Sequence, residues 1–166
     1  MARHPQRIEP GPGQESVWDY PRPPALERTD ARLEVGFAGV TVADTTQGWR
    51  VLETSQPPAY YFPPADVRLD LLVRNLQRSF CEWKGTASYR DIHVGDAMAA
   101  EAAWFYERPT ERFAAIAGHF AFYAQVVDEC RVDGEVVDAN EGRFYGGWIT
   151  SNVVGPFKGG VGTAGW

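Results

Sequence analysis

RLEVGFAGVTVA, Arg32 to Ala43, decides the fold class. Leu33, Val35 and Phe37 alternate with Glu34 and Gly36; Ala38-Gly39 interrupts; Val40 and Val42 then alternate with Thr41 and Ala43. Period two on both sides of a short glycine-bearing break predicts a strand, a tight turn and a second strand with one apolar face each. Downstream, Trp49 to Thr54 reads as another short strand. Ala59 to Phe62 reads as a further one, bracketed by Pro57-Pro58 and Pro63-Pro64, and such brackets confine a strand to an edge or a short ladder.

The pattern continues in both directions. Asp66 to Leu76 predicts a helix, with Asp66 as its cap and Val67, Leu71 and Leu72 on one face with Leu76 nearby. Ser79 to Trp83 and Thr86 to His93 predict a hairpin around Lys84-Gly85. Ala97 to Tyr106 has helix-favouring alanines and a strand-favouring Trp104-Phe105-Tyr106 end; the turn spacing assigns its second half to a strand. Thr110 to Ile116 predicts one or two helical turns stopped by Gly118. His119 to Val127 reads as a core strand, and Asp133-Gly134 as a hairpin turn.

The two ends of the chain differ from this body. Six of the 12 prolines fall in the first 25 residues, which excludes helix and central strand there, yet Trp18 and Tyr20 suit a segment lying across the body. A polyproline segment offered to a partner is the other reading. Gly142 to Trp166 holds eight of the 17 glycines and no Asp or Glu. Glycine at that density does not order itself. Phe144, Tyr145, Trp148, Phe157 and Trp166 are too apolar for a solvated linker, so this tail is expected to dock on its own domain or on a neighbouring subunit. The expected organisation is therefore a Pro-rich segment over 1–25, a β domain over 26–141 and a Gly/aromatic extension over 142–166.

At 166 residues the chain fits one domain, and its net charge of −6 argues against nucleic acid, which requires clustered Lys and Arg. No apolar run approaches the roughly 20 residues of a membrane span. Met1 to Pro12 lacks a signal-peptide core, so a cytoplasmic protein without a membrane partner is expected. Cys81 and Cys130 form no Cys-x-x-Cys motif, and His4, His93 and His119 are scattered, so no metal site is expected. Phosphate-loop, dinucleotide, zincin and nucleophile-elbow motifs are missing, and no cofactor is expected. Asp66 and Asp70 have the spacing of helix turns rather than of two carboxylates on one strand face holding Mg²⁺.

Two stretches carry the residue types of chemistry. In RVLETSQPPAYYFP, Arg50 to Pro63, an inward Arg50 and Glu53 would form an anion clamp and a general base, with Tyr60 and Tyr61 beside them. The plainer reading is that the two pair with each other at the sheet rim. In FCEWKGTASY, Phe80 to Tyr89, Lys84 three residues from Cys81 would favour a thiolate nucleophile, whereas the plainer reading is a buried thiol and an ordinary turn. Trp104, Tyr106, Phe120, Phe122 and Tyr123 read as core, and line a pocket only if the sheet closes around a cavity.

Five blocks in order, VWDYPRPP (Val17 to Pro24), RVLETSQPPAYYFPPADV (Arg50 to Val67), FCEWKGTASY (Phe80 to Tyr89), AAWFYERP (Ala102 to Pro109) and AGHFAFY (Ala117 to Tyr123), resemble the domain-of-unknown-function 427 family. Gly142 to Trp166 is similar to a C-terminal extension of some members. The resemblance implies an all-β fold of the β-tent or Mss4-like group, mainly antiparallel, which includes methionine sulfoxide reductase B. Many relatives in that group bind zinc through paired Cys-x-x-Cys motifs that this chain lacks, so the metal does not carry over. The family also carries a nucleotidyltransferase label, for which the Gly-Ser and paired-Asp elements are missing.

Taken together, the expectation is an all-β domain of two small antiparallel sheets leaning together around an aromatic core, with short helices near 66–76 and 110–117. Between its sheets we expect a site for a small anionic or nucleotide-like molecule. Arg50 and Lys84 would hold the anion, Glu53 would move a proton and Cys81 would be the nucleophile, with Tyr60, Tyr61, Tyr89 and Trp104 as walls. The alternative is a non-enzymatic interaction module, or a homo-oligomer built through the C-terminal extension.

Overall fold

A computed structural model describes residues 5–166. The chain is all-β, as its alternation predicts. A long antiparallel sheet runs in the order Phe120–Phe122, Ala97–Phe105, Gly85–Val94, Leu72–Cys81. A second four-stranded sheet runs Glu135–Val136, Glu129–Val132, Leu33–Phe37, Val40–Thr45. A third sheet pairs Ala25–Thr29, Gly48–Leu52 and Ala59–Tyr61. An isolated bridge between Phe62 and Phe120 ties it to the long sheet. The strand–turn–strand of Arg32 to Ala43 is observed, with a bulge between Val35 and Gly36. The proline-bracketed Ala59–Tyr61 is an edge strand.

Leu33, Val35 and Val42 of the second sheet pack with Ile92, Ala103 and Phe105 of the long sheet to form the main core, with Phe62, Phe122 and Trp148 among its fully buried rings. Because side chains alternate across a strand, neighbours of those residues face the other way. Trp104, Tyr106, Ala121 and Tyr123 therefore form a second cluster with Tyr61 and Ala87. The five aromatics read as core are all buried, but they divide between these two faces.

The helix expected over Asp66 to Leu76 is not formed. Short 3-10 turns occupy Pro64–Asp66 and Leu69–Leu71, and Leu72–Cys81 is a ten-residue strand. The Asp66 carboxylate accepts from Thr45 Oγ1 at 2.7 Å instead of capping a helix, and Arg68 N–H donates to the Val42 carbonyl at 2.8 Å. Pairing with Gly85–Val94 supplies a ladder of backbone bonds that outweighs the local apolar spacing, and Leu76, at the end of the expected helix, is 80% exposed. The helical turns expected after Thr110 do form, as a 3-10 segment over Glu111–Ile116. All of Ala97–Phe105 is strand, not only its second half, and the strand expected over His119 to Val127 is limited to Phe120–Phe122.

The segment around Glu15 to Trp18 lies against the C-terminal tail. Glu15–Ser16 pairs in parallel with Val153–Val154, Trp18 Nε1 donates to the Pro156 carbonyl at 2.8 Å, and the Trp18 and Trp166 rings meet at 5.7 Å. Trp148 is buried in the main core, with its Nε1 donating to the Phe122 carbonyl. Among the described residues, no helix is long and apolar enough to cross a membrane.

Candidate functional site

The second face of the long sheet opens into a cleft of about 630 Å³. The hairpin supplies one wall: its register puts Ser79 opposite Ala87 and Cys81 opposite Gly85, and the alternation points Ser79, Cys81 and Tyr89 to the same side. The Tyr89 hydroxyl and Ser79 Oγ share a hydrogen bond of 2.7 Å. The next strand presents Trp104 opposite Tyr89. A bulge between Arg90 and Ile92 puts Glu101 at a φ of +50°, its N–H bonded to Asp91, and its side chain also reaches the cleft.

Lys84 stands in the three-residue loop Glu82–Lys84, not in a two-residue turn with Gly85. Gly85 closes the loop at a φ of +102°, open to glycine alone without strain. Thr110 pins the loop twice: its N–H donates to the Lys84 carbonyl at 3.1 Å and its Oγ1 to the Trp83 carbonyl at 2.6 Å. The half-buried ammonium lies 5.8 Å from the centre of the Tyr106 ring and 5.9 Å from that of Phe113. Burial works against its charge, but Tyr61, Cys81 and Glu53 around it favour the charge, and the ammonium is held above the ordinary lysine range. Burial also pushes the phenols of Tyr61, Tyr106 and Tyr123 above the ordinary tyrosine range, so all three keep their protons.

Of the residues singled out in the sequence, Glu53, Tyr61, Cys81, Lys84, Tyr89 and Trp104 meet in this cleft. Glu53 holds Gln56 Nε2 at 2.8 Å and lies 3.6 Å from Arg22 Nε. Arg50 and Tyr60 do not join them. Arg50 precedes Glu53 by an odd number of residues along an extended chain, so the two project to opposite faces. The Arg50 guanidinium is engaged by Glu15 at 2.5 Å and Glu27 at 2.8 Å, and with Tyr60 it borders a separate polar hollow. The anion clamp expected from Arg50 and Glu53 is therefore not assembled, and neither is the mutual ion pair of the plainer reading: Arg50 meets Glu15 and Glu27, and Glu53 meets Arg22.

Sequence reasoning missed the far wall. Arg143, Tyr145 and Lys158 of the C-terminal tail complete the cleft. Gly146 sits so close to Trp104 that a Cβ there would overlap the indole, and one at Gly147 would overlap the Pro57 carbonyl. Gln125 Nε2 donates to the carbonyls of Asn140, Gly142 and Tyr145 at 3.1–3.3 Å, and Asn140 Nδ2 donates to the Lys158 carbonyl at 2.8 Å, fixing the tail on this wall. One compositional signal was available. The chain has 14 arginines but only two lysines, and both lysines line this one cleft. Five of the seven tyrosines line it as well.

Residues 25–133 match the family model described as Domain of unknown function (DUF427). The chain belongs to the DUF427 family. No curated protein matches the chain. The DUF427 match contains Glu53, Tyr61, Cys81, Lys84, Tyr89 and Trp104, whereas Arg143, Tyr145 and Lys158 lie beyond it. The cleft of this DUF427 protein is thus built from the family domain on one side and from its tail on the other.

Proposed function

We propose that the cleft binds a small anionic molecule with a flat ring, nucleotide-like in combining the two. One observation carries the reading: the only two lysines of an arginine-rich chain converge on one tyrosine-lined cleft. An ammonium meets an anion as a compact point charge, and protonated phenols donate hydrogen bonds to it. A volume near 630 Å³ suits a small molecule, since such sites run from about 300 to 1,000 Å³. Glu53, Glu82 and Glu101 border the same space, where they would accept from hydrogen-bond donors on a ligand. Lys84, kept charged, acts as the anion's anchor, not as an amine nucleophile. Glu53 is the group available to take a proton, and Cys81 borders the bound molecule.

Calorimetric titration with phenyl phosphate and with adenosine monophosphate tests this. Binding of either that is lost in Lys84→Met, with thermal unfolding of the free variant unchanged within a few degrees, is the expected result. Equal binding by wild type and Lys84→Met, or binding of neither probe by wild type, overturns it.

A further inference from the structure

The three cleft cations lie over different rings. Lys84 lies at the end formed by Tyr61, Tyr106 and Phe113, while the Arg143 guanidinium lies 5.6 Å over the Tyr123 ring and the Lys158 ammonium 5.1 Å over Tyr145. Between them runs an aromatic floor: Tyr61 meets Trp104 edge-on with centroids 6.1 Å apart, and Trp104 meets Tyr123 at 4.5 Å. None of the three cations forms an ion pair among the described residues, although Lys158 is only 9% exposed. A cation buried without a carboxylate partner is expensive unless something supplies the missing charge.

We infer that the ligand carries anionic groups at two ends of its ring, one bound by Lys84 and the other by Arg143 and Lys158, so that the C-terminal tail selects for a two-ended dianion. This rests on the anion-binding reading above and adds to it a second subsite with a separate origin in the chain. Gln125 and Asn140 are the positioning residues of that subsite, since they hold the tail backbone at Gly142, Tyr145 and Lys158.

Benzoate, phthalate and terephthalate separate the terms. All three have the same ring; the last two have the same charge, with their carboxylates adjacent or opposed, and the biphenyl homologue of terephthalate spans a longer floor. We expect terephthalate or its biphenyl homologue to bind at least tenfold more tightly than benzoate and phthalate. Lys158→Met and Arg143→Gln should each remove most of that preference, bringing the opposed dicarboxylates down toward benzoate, and Lys84→Met should weaken every probe. Benzoate binding with no preference for opposed carboxylates would overturn the second subsite and leave the anion site standing. An equal loss for all probes in both Lys158→Met and Arg143→Gln would reduce the tail to a wall. If no probe binds to wild type, both readings fall together.

Discussion

Trp104 donates its indole Nε1 hydrogen to the Tyr61 hydroxyl at 3.1 Å, and the two rings meet at 85°, so this buried contact joins the Phe62–Phe120 bridge in holding the long sheet to the proline-bracketed edge strand. Tyr61 is 1% exposed and Trp104 7%, which leaves the indole no bulk water to turn to if the phenol oxygen is removed. Tyr61→Phe is therefore expected to lower stability by about 1–3 kcal/mol, the cost of orphaning a buried donor. Urea unfolding of the two proteins measures it, and a change below experimental error would show that the indole finds another acceptor.

Arg50 gives a pH-dependent prediction. Burial raises the Glu15 carboxyl, but hydrogen bonds from Arg50 and Tyr20 outweigh it and hold the group below the ordinary carboxylate range. The stabilisation is fully present above the ordinary glutamate pKa of about 4.3 and is lost as pH falls through the lowered native value. Arg50→Met should be less stable than wild type at neutral pH, and the gap between them should narrow below about pH 4. Urea midpoints across that range decide it; a gap independent of pH would assign the loss to packing alone.

The thiols should differ sharply. Cys130 is buried in the main core, and burial pushes its pKa up to about 12, whereas Cys81 is half-buried at the cleft. A thiol-specific reagent should modify one cysteine in the native protein and two after denaturation, with peptide mapping assigning the first to Cys81. Saturating phenyl phosphate should slow that reaction several-fold. Modification of both at similar rates would contradict the burial of Cys130.

Gly147 has no room for a side chain, because a Cβ would collide with the Pro57 carbonyl. Gly147→Ala is expected to cost about 1–3 kcal/mol, the usual penalty for overpacking. The loss should be local: faster hydrogen exchange at the Trp148 N–H, which donates to the Pro58 carbonyl, with exchange in the Leu33–Phe37 strand unchanged. Uniformly faster exchange would mean that the tail is integral to the whole core.

The strands of the fold were legible where one face is buried and the other wet, as in Leu33 to Val42. They were illegible where a strand is exposed along one edge. Leu72–Cys81 has little buried surface to impose period two, so the spacing of Val67, Leu71, Leu72 and Leu76 imitated a helix. The hairpin wall of the site was readable because Cys81, Lys84 and Tyr89 lie close in sequence. Arg50 misled because counting residues apart ignores which face a strand presents. Lys158 was invisible for the opposite reason: it comes 74 positions after Lys84, and only the folding of a glycine-rich tail brings them to one cleft.

The distribution of lysine has a practical consequence. Apart from the amino terminus, the only primary amines of this protein face its cleft. Amine-directed dyes, cross-linkers, biotin esters and biosensor surfaces would therefore either leave the side chains untouched or attack the cleft itself. Immobilisation through lysine would block the cleft, whereas coupling through an added surface cysteine or a terminal tag would leave it open.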